Sequence, residues 1–145
     1  MDKKLSGVYE LEVLEKSSHL LRGFDDHFLM PQSRFTTVYP QDLTGTGLKL
    51  LAGSEETGAV VFVSPEHRQV FVTGHPEYDD RTLDSEFLRD QKAGLNTPVP
   101  VNYYKDDNPS NPPMVQWKAY AHLFFANWLN HYVYQETPFD LGDIN

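Results

Sequence analysis

A histidine and a glutamate separated by one proline stand at the end of the stretch QVFVTGHPEYDD, residues 69–80. Residues 69–73 have the β signature, Gly74 permits a sharp departure from a strand, and Pro76 biases His75 toward extended geometry. In an extended segment, residues two apart project to the same side, so His75 and Glu77 can meet or flank one pocket. A carboxylate against an imidazole fixes its tautomer and stabilises the imidazolium formed when the ring takes a proton. That is the service a base and its orienting partner give to a nucleophile. On spacing alone, however, a His-x-Glu at a strand end is more often a surface turn. The composition sharpens the question, because the chain has no cysteine to be activated.

Other chemistry-bearing residues group less well. His19, His27, His67, His122 and His131 show no metal-ligand spacing, and without cysteine no thiolate zinc site or disulfide can form. Asp25-Asp26 reads as a turn or cap, and Gly45 and Gly47 in TGTGLK lack the strand-to-helix context of a phosphate loop. No metal or nucleotide site is expected. Twelve Lys and Arg against 21 Asp and Glu give a net charge of -9, which disfavours nucleic acid and anionic membrane as partners. No stretch approaches the roughly 18 apolar residues of a membrane span, and MDKKLSGVYE lacks a signal-peptide core, so a cytoplasmic protein is expected.

The elements that must position His75 follow from periodicity. β-rich runs occur at residues 7–15, 33–39, 48–54, 58–64 and 69–74, divided by turn formers such as Gly45, Gly47, Gly58 and Pro65. Their short spacing suggests antiparallel meanders. Helices are expected over residues 80–94, with Leu83, Phe87 and Leu88 on one face, and over residues 113–135, whose aromatic stripe is broad enough to be buried. Residues 96–113, with five prolines, should form a packed irregular loop. At 145 residues the chain fits one segment, 1–145, with no second domain.

The blocks KLSGVYE, LLRGFDDHFLMPQSR, RQVFVTGHPEYD, LRDQKAGLNTPVPVNYY and NWLNHYVYQETPFDL, in this order, resemble the homoserine O-acyltransferases of methionine biosynthesis. This is the homoserine O-succinyltransferase and O-acetyltransferase family, related to class I glutamine amidotransferases. The resemblance covers about residues 3–141 and corresponds to the C-terminal half of the family's chains. It implies an α/β fold of the class I glutamine amidotransferase-like, flavodoxin-like type, here a strand-rich first part followed by two helices. It further implies ping-pong transfer from acetyl-CoA or succinyl-CoA, with a lean to acetyl, through a cysteine thioester to homoserine, serine being an open alternative. No cofactor is implied beyond acyl-CoA as co-substrate.

By this resemblance His75 and Glu77 are the base and carboxylate of a Cys-His-Glu triad whose cysteine lies in the absent N-terminal half, so that residues 1–145 alone should be inactive. Arg89 in EFLRDQ matches a residue that grips the amino-acid substrate, and Ser33 in PQSRF and Lys4 in DKKLSG match further substrate-binding positions. On local sequence alone, Arg89 reads as a helix-surface arginine pairing with Glu86 or Asp90. The family's histidine is replaced by Gln32, which cannot carry a proton, and its Ser-His by Ala119-Tyr120. Without the N-terminal half, an exposed sheet edge and apolar face invite a homo-oligomer. The competing reading is a free-standing, non-catalytic paralogue used for binding or assembly, for which His75, Glu77 and Arg89 would not be needed.

Overall fold

The computed structural model describes residues 4–135 and Gly142. Five strands, β1 (Leu5–Val13), β2 (His27–Arg34), β3 (Lys49–Ser54), β4 (Gly58–Val63) and β5 (Val70–Val72), precede two helices, α1 (Thr82–Lys92) and α2 (Lys118–Trp128). The strands form one sheet in the order β2-β1-β3-β4-β5, and every strand pair in it is antiparallel. The meander and the strand-then-helix order agree with the sequence. The parallel pairing typical of a flavodoxin-like core occurs among the described residues only as an isolated bridge between Gly7 and Val101.

Alternation along β1 and β2 sends side chains to two cores. Leu11, Val13, Phe28 and Met30 join Leu20, Leu51, Val60, Val61, Val63 and Phe124 in one cluster. Val8, with Leu29 packed beside it, joins Leu83, Phe87, Tyr103, Tyr104 and Trp117 in the other. The first core lies under α2; the second is closed by α1 and by the proline-rich loop. That loop is packed as expected, with Tyr103 and Tyr104 fully buried and the Tyr104 hydroxyl donating to Asp84 Oδ1 at 2.6 Å.

Gly7 marks where the loop crosses the sheet. Its φ is +144°, and a Cβ there would lie 2.4 Å from the backbone N and O of Val101, so only glycine lets the two chains touch.

Three expectations need correction. The second strand is His27–Arg34, while most of the anticipated run over residues 33–39 is irregular. Pro31 disguised it, because proline cannot donate to a ladder. Here Pro31 pairs with Val8 at the sheet edge, where Val8 gives its N–H to Val101 and Pro31 gives its carbonyl to His75, so no ladder bond is lost.

The last helix starts at Lys118, five residues later than expected, since Pro113 bridges to Tyr104 and Met114 N–H donates to the Tyr103 carbonyl at 2.7 Å. It ends in a π-helical segment, Leu129–Tyr134. Its aromatic stripe is only partly covered: Ala121 and Phe124 are buried, but Phe125, Trp128 and Leu129 are exposed. The last resemblance block, beyond Gln135, lies outside the described residues.

The sheet curls until its two edge strands meet. The chain leaving β5 stays on β4 through Thr73, whose N–H donates to the Val60 carbonyl at 2.9 Å, and two residues later His75 N–H donates to the Pro31 carbonyl of β2 at 2.8 Å. His75 is therefore placed at the seam of the curl.

Candidate functional site

His75 and Glu77 meet as their spacing predicts: His75 Nδ1 lies 2.9 Å from Glu77 Oε1. With the proton on Nδ1 donated to Glu77, the lone pair sits on Nε2, the atom that can accept a proton from a substrate. The histidine side chain is 31% exposed, enough for a reactant to reach it. Its ring stacks on Tyr78, with centroids 4.3 Å apart and planes 17° from parallel. Two contacts hold Tyr78 in turn: its hydroxyl donates to Glu86 Oε1 at 2.8 Å, and its carbonyl accepts from Trp117 Nε1 at 3.0 Å. Burial, followed by the Glu86 carboxylate, pushes the Tyr78 phenol above its ordinary range, so it stays a protonated donor.

Glu86 links this half of the site to the other. Its second carboxylate oxygen accepts from the Ser33 hydroxyl and lies 3.7 Å from Lys4 Nζ. Lys4, buried, donates to Asp90 Oδ2 at 3.0 Å, an oxygen also reached by Thr97 Oγ1 at 3.0 Å. Arg89 binds the other oxygen, with Nε at 2.9 Å and Nη2 at 2.7 Å. The Arg89 and Lys4 cations and the Thr97 hydroxyl hold the Asp90 carboxyl at about 2, well below its usual range.

All five sequence-derived positions thus belong to one network of contacts: Glu77, His75, Tyr78 and Glu86 follow one another, Ser33 and Lys4 both branch from Glu86, and Lys4 leads on to Asp90 and Arg89. Arg89 does pair with Asp90, as the local reading anticipated, yet its side chain remains 66% exposed beside the site. Sequence reasoning did not single out Tyr78, Glu86 or Asp90 as site residues. The available signal was the i, i+4 pair Glu86 and Asp90 flanking Arg89 on one face of α1.

Glu77 also lines a cleft of about 310 Å3 with Pro76, Tyr78, Lys118, His122 and Phe125. A larger groove of about 570 Å3, between the β5 region and α2, shares Phe125 but contains neither His75 nor Glu77. Of the site residues, Glu77 and Tyr78 line the smaller cleft. Among the described residues, no group of three or more His, Asp or Glu side chains could hold a metal ion. No helix among them is long and apolar enough to cross a membrane.

The family model described as homoserine O-succinyltransferase matches residues 1–139. The chain belongs to the homoserine O-succinyltransferase family. A homoserine O-succinyltransferase of Serratia proteamaculans (strain 568) is 52% identical over 144 residues, covering 98% of this chain and 46% of its own length. A homoserine O-acetyltransferase of Methanomassiliicoccus intestinalis (strain Issoire-Mx1) is 52% identical over 141 residues, covering 97% and 46% respectively. The chain therefore spans about half the length of the curated relatives it matches. Among solved structures, the crystal structure of SMU.1228c superimposes with a TM-score of 0.58 at 15% identity, covering 88% of this chain and 52% of that one. This is a likeness of fold alone.

Gln32 is fully buried, and its side-chain oxygen accepts from Arg34. Tyr120 packs against Phe24 and Phe28 and donates to Asp25 Oδ2 at 2.8 Å.

Proposed function

We propose that this chain supplies the proton-transfer and amino-acid-binding side of an acyl-CoA-dependent homoserine O-acyltransferase of methionine biosynthesis, working by ping-pong through a cysteine thioester. The observation behind this reading is the 2.9 Å contact between His75 Nδ1 and Glu77 at the seam of the curled sheet. The chain has no cysteine, so the nucleophile belongs to the remainder of the protein, completing with this half a class I glutamine amidotransferase-like fold.

In the first half-reaction His75 Nε2 takes the proton of the cysteine thiol, the thiolate attacks the acyl-CoA thioester carbonyl, and His75 returns that proton to the departing sulfur so that CoA leaves as its thiol. In the second, His75 Nε2 removes the proton of the homoserine hydroxyl as its oxygen attacks the enzyme thioester; the C–S bond breaks, and the ester departs while the sulfur regains the proton. Glu77 keeps the ring in the productive tautomer and offsets its charge. With Nε and one Nη2 hydrogen on Asp90, the outer Nη1/Nη2 edge of Arg89 offers two parallel hydrogen bonds to the amino-acid carboxylate, with Ser33 and Lys4 completing that side. The donor is acetyl-CoA or succinyl-CoA.

Intact-protein mass spectrometry tests this. Acyl-CoA should add one acyl group to a single cysteine, and homoserine should remove it. An enzyme that forms product without ever carrying an acyl group would refute the ping-pong course.

A further inference from the structure

Among the charged groups the mechanism above does not use is one with no carboxylate partner among the described residues. Arg34, at the end of β2, is drawn into the seam of the curl, and burial lowers its pKa from the ordinary guanidinium value. No carboxylate among the described residues pairs with it; its partners are neutral oxygens from three segments. Nη1 donates to the Gln32 side-chain oxygen and, at 3.0 Å, to the carbonyl of Thr73, while Nη2 donates at 2.6 Å to the carbonyl of Thr57 in the β3–β4 turn. A guanidinium partly withdrawn from water without a counter-charge is costly, and hydrogen bonds from its two Nη atoms to fixed oxygens offset part of that cost here, while Nε is buried without a partner.

Those carbonyls sit where they matter for the base. Thr73 is two residues before His75. Between them, a Cβ on Gly74 would lie 2.5 Å from both Gln32 Nε2 and Met30 Sδ, so the strand end is pressed against β2 without a gap. His75 itself is tied by its N–H to the Pro31 carbonyl. Three consecutive residues, 73 to 75, are thereby fixed on β2, and Arg34 is the only side chain that reaches from β2 to both Thr73 and the Thr57 turn.

We propose that Arg34, oriented by Gln32, is the positioning residue for His75: its fork clamps the Thr73 and Thr57 carbonyls and so sets where the imidazole stands against Glu77 and the incoming hydroxyl. The role requires two divergent N–H groups on one rigid plane, which lysine lacks. Arg34 touches no reactant and acts only through the backbone that carries His75. This inference rests on the acyltransfer reading for its kinetic consequence, but not for its structural one.

The test uses the intact protein carrying this chain, with 15N-labelled histidine. In Arg34→Lys the His75 ring resonances should shift or broaden, whereas Leu20→Ala, a cavity in the core under α2, should leave them unmoved at comparable loss of thermal stability. The decay of acyl-enzyme on adding homoserine, counted per acylated site, should slow by about 100-fold, the usual consequence of a misplacement near 1 Å, with KM for homoserine changed less than about twofold. Should Arg34→Lys not fold, Gln32→Met, which keeps the volume and removes the orienting oxygen, should move the same resonances. Unmoved His75 resonances in the folded Arg34 or Gln32 variant would overturn the proposal. If the resonances move but His75→Ala turns over normally, the positioning stands and the acyltransfer reading fails.

Discussion

Arg89 donates twice to one carboxylate oxygen of Asp90, and changes at the two residues have separable consequences. Arg89→Ala removes the exposed fork while Lys4 and Thr97 still hold Asp90, so the fold should persist. The expected phenotype is a KM for homoserine raised by about 10- to 100-fold, corresponding to roughly 1.5–3 kcal/mol for a charge-assisted hydrogen bond, with acylation by acyl-CoA unaffected. An Arg89→Ala enzyme that cannot be acylated would show the assignment to be wrong.

Asp90 governs acid behaviour. Its folded value of about 2 lies below the ordinary 3.8, so the stabilisation it provides is fully present above about pH 4 and is lost as pH falls toward 2. Melting temperatures of the parent and Asp90→Asn proteins should therefore differ by a constant amount from pH 6 to 5 and converge below pH 4. His75 and Glu77 could be read from sequence because their partnership is local, two residues apart across a proline. Ser33 and Glu86 could not be paired that way, since 53 residues separate them and only the curl of the sheet brings them together.

At the scale of elements, the seam between β5 and β2 is the part on which the site depends. Gly74→Ala would place a methyl group against the buried Gln32 and Met30 side chains, and overpacking of this kind costs about 1–3 kcal/mol. Because the strain falls on the peptide preceding His75, turnover should drop along with stability, as denaturant melts and single-turnover rates on the same preparation would reveal. Unchanged stability would mean that the two side chains yield freely. β4 and β5, rich in Val and Phe, and β3, an apolar run set off by Gly45 and Gly47, are legible in the sequence because turn formers bound them. β2 was displaced in that reading because Pro31 sits at an edge position where its missing N–H has no ladder consequence, a fact of register that composition does not carry. α2 starts later than its periodicity suggests for a similar reason: Pro113 and Met114 are tied to Tyr104 and Tyr103, a tertiary contact that overrides local propensity.

For the whole molecule, the proposed ping-pong course leaves this chain with half of the chemistry. Residues 1–145 alone should transfer no acyl group from acetyl-CoA or succinyl-CoA to homoserine, because no thiol is present to accept it. Turnover above background by the purified chain would contradict the division of labour. The exposed Phe125, Trp128 and Leu129 on α2 illustrate why the expected buried stripe was only partly found: a helix's periodicity says which residues can be covered, not what covers them. The central claim is that His75 is the base of the second half-reaction. It is tested most directly by preparing the acyl-enzyme of the intact protein, with and without His75→Ala, and following its decay after homoserine is added. The account predicts decay slower by about 10²–10⁴-fold in the His75→Ala enzyme, with folding unchanged. Decay at the parent rate would contradict it and return GHPEYD to the status of an ordinary turn.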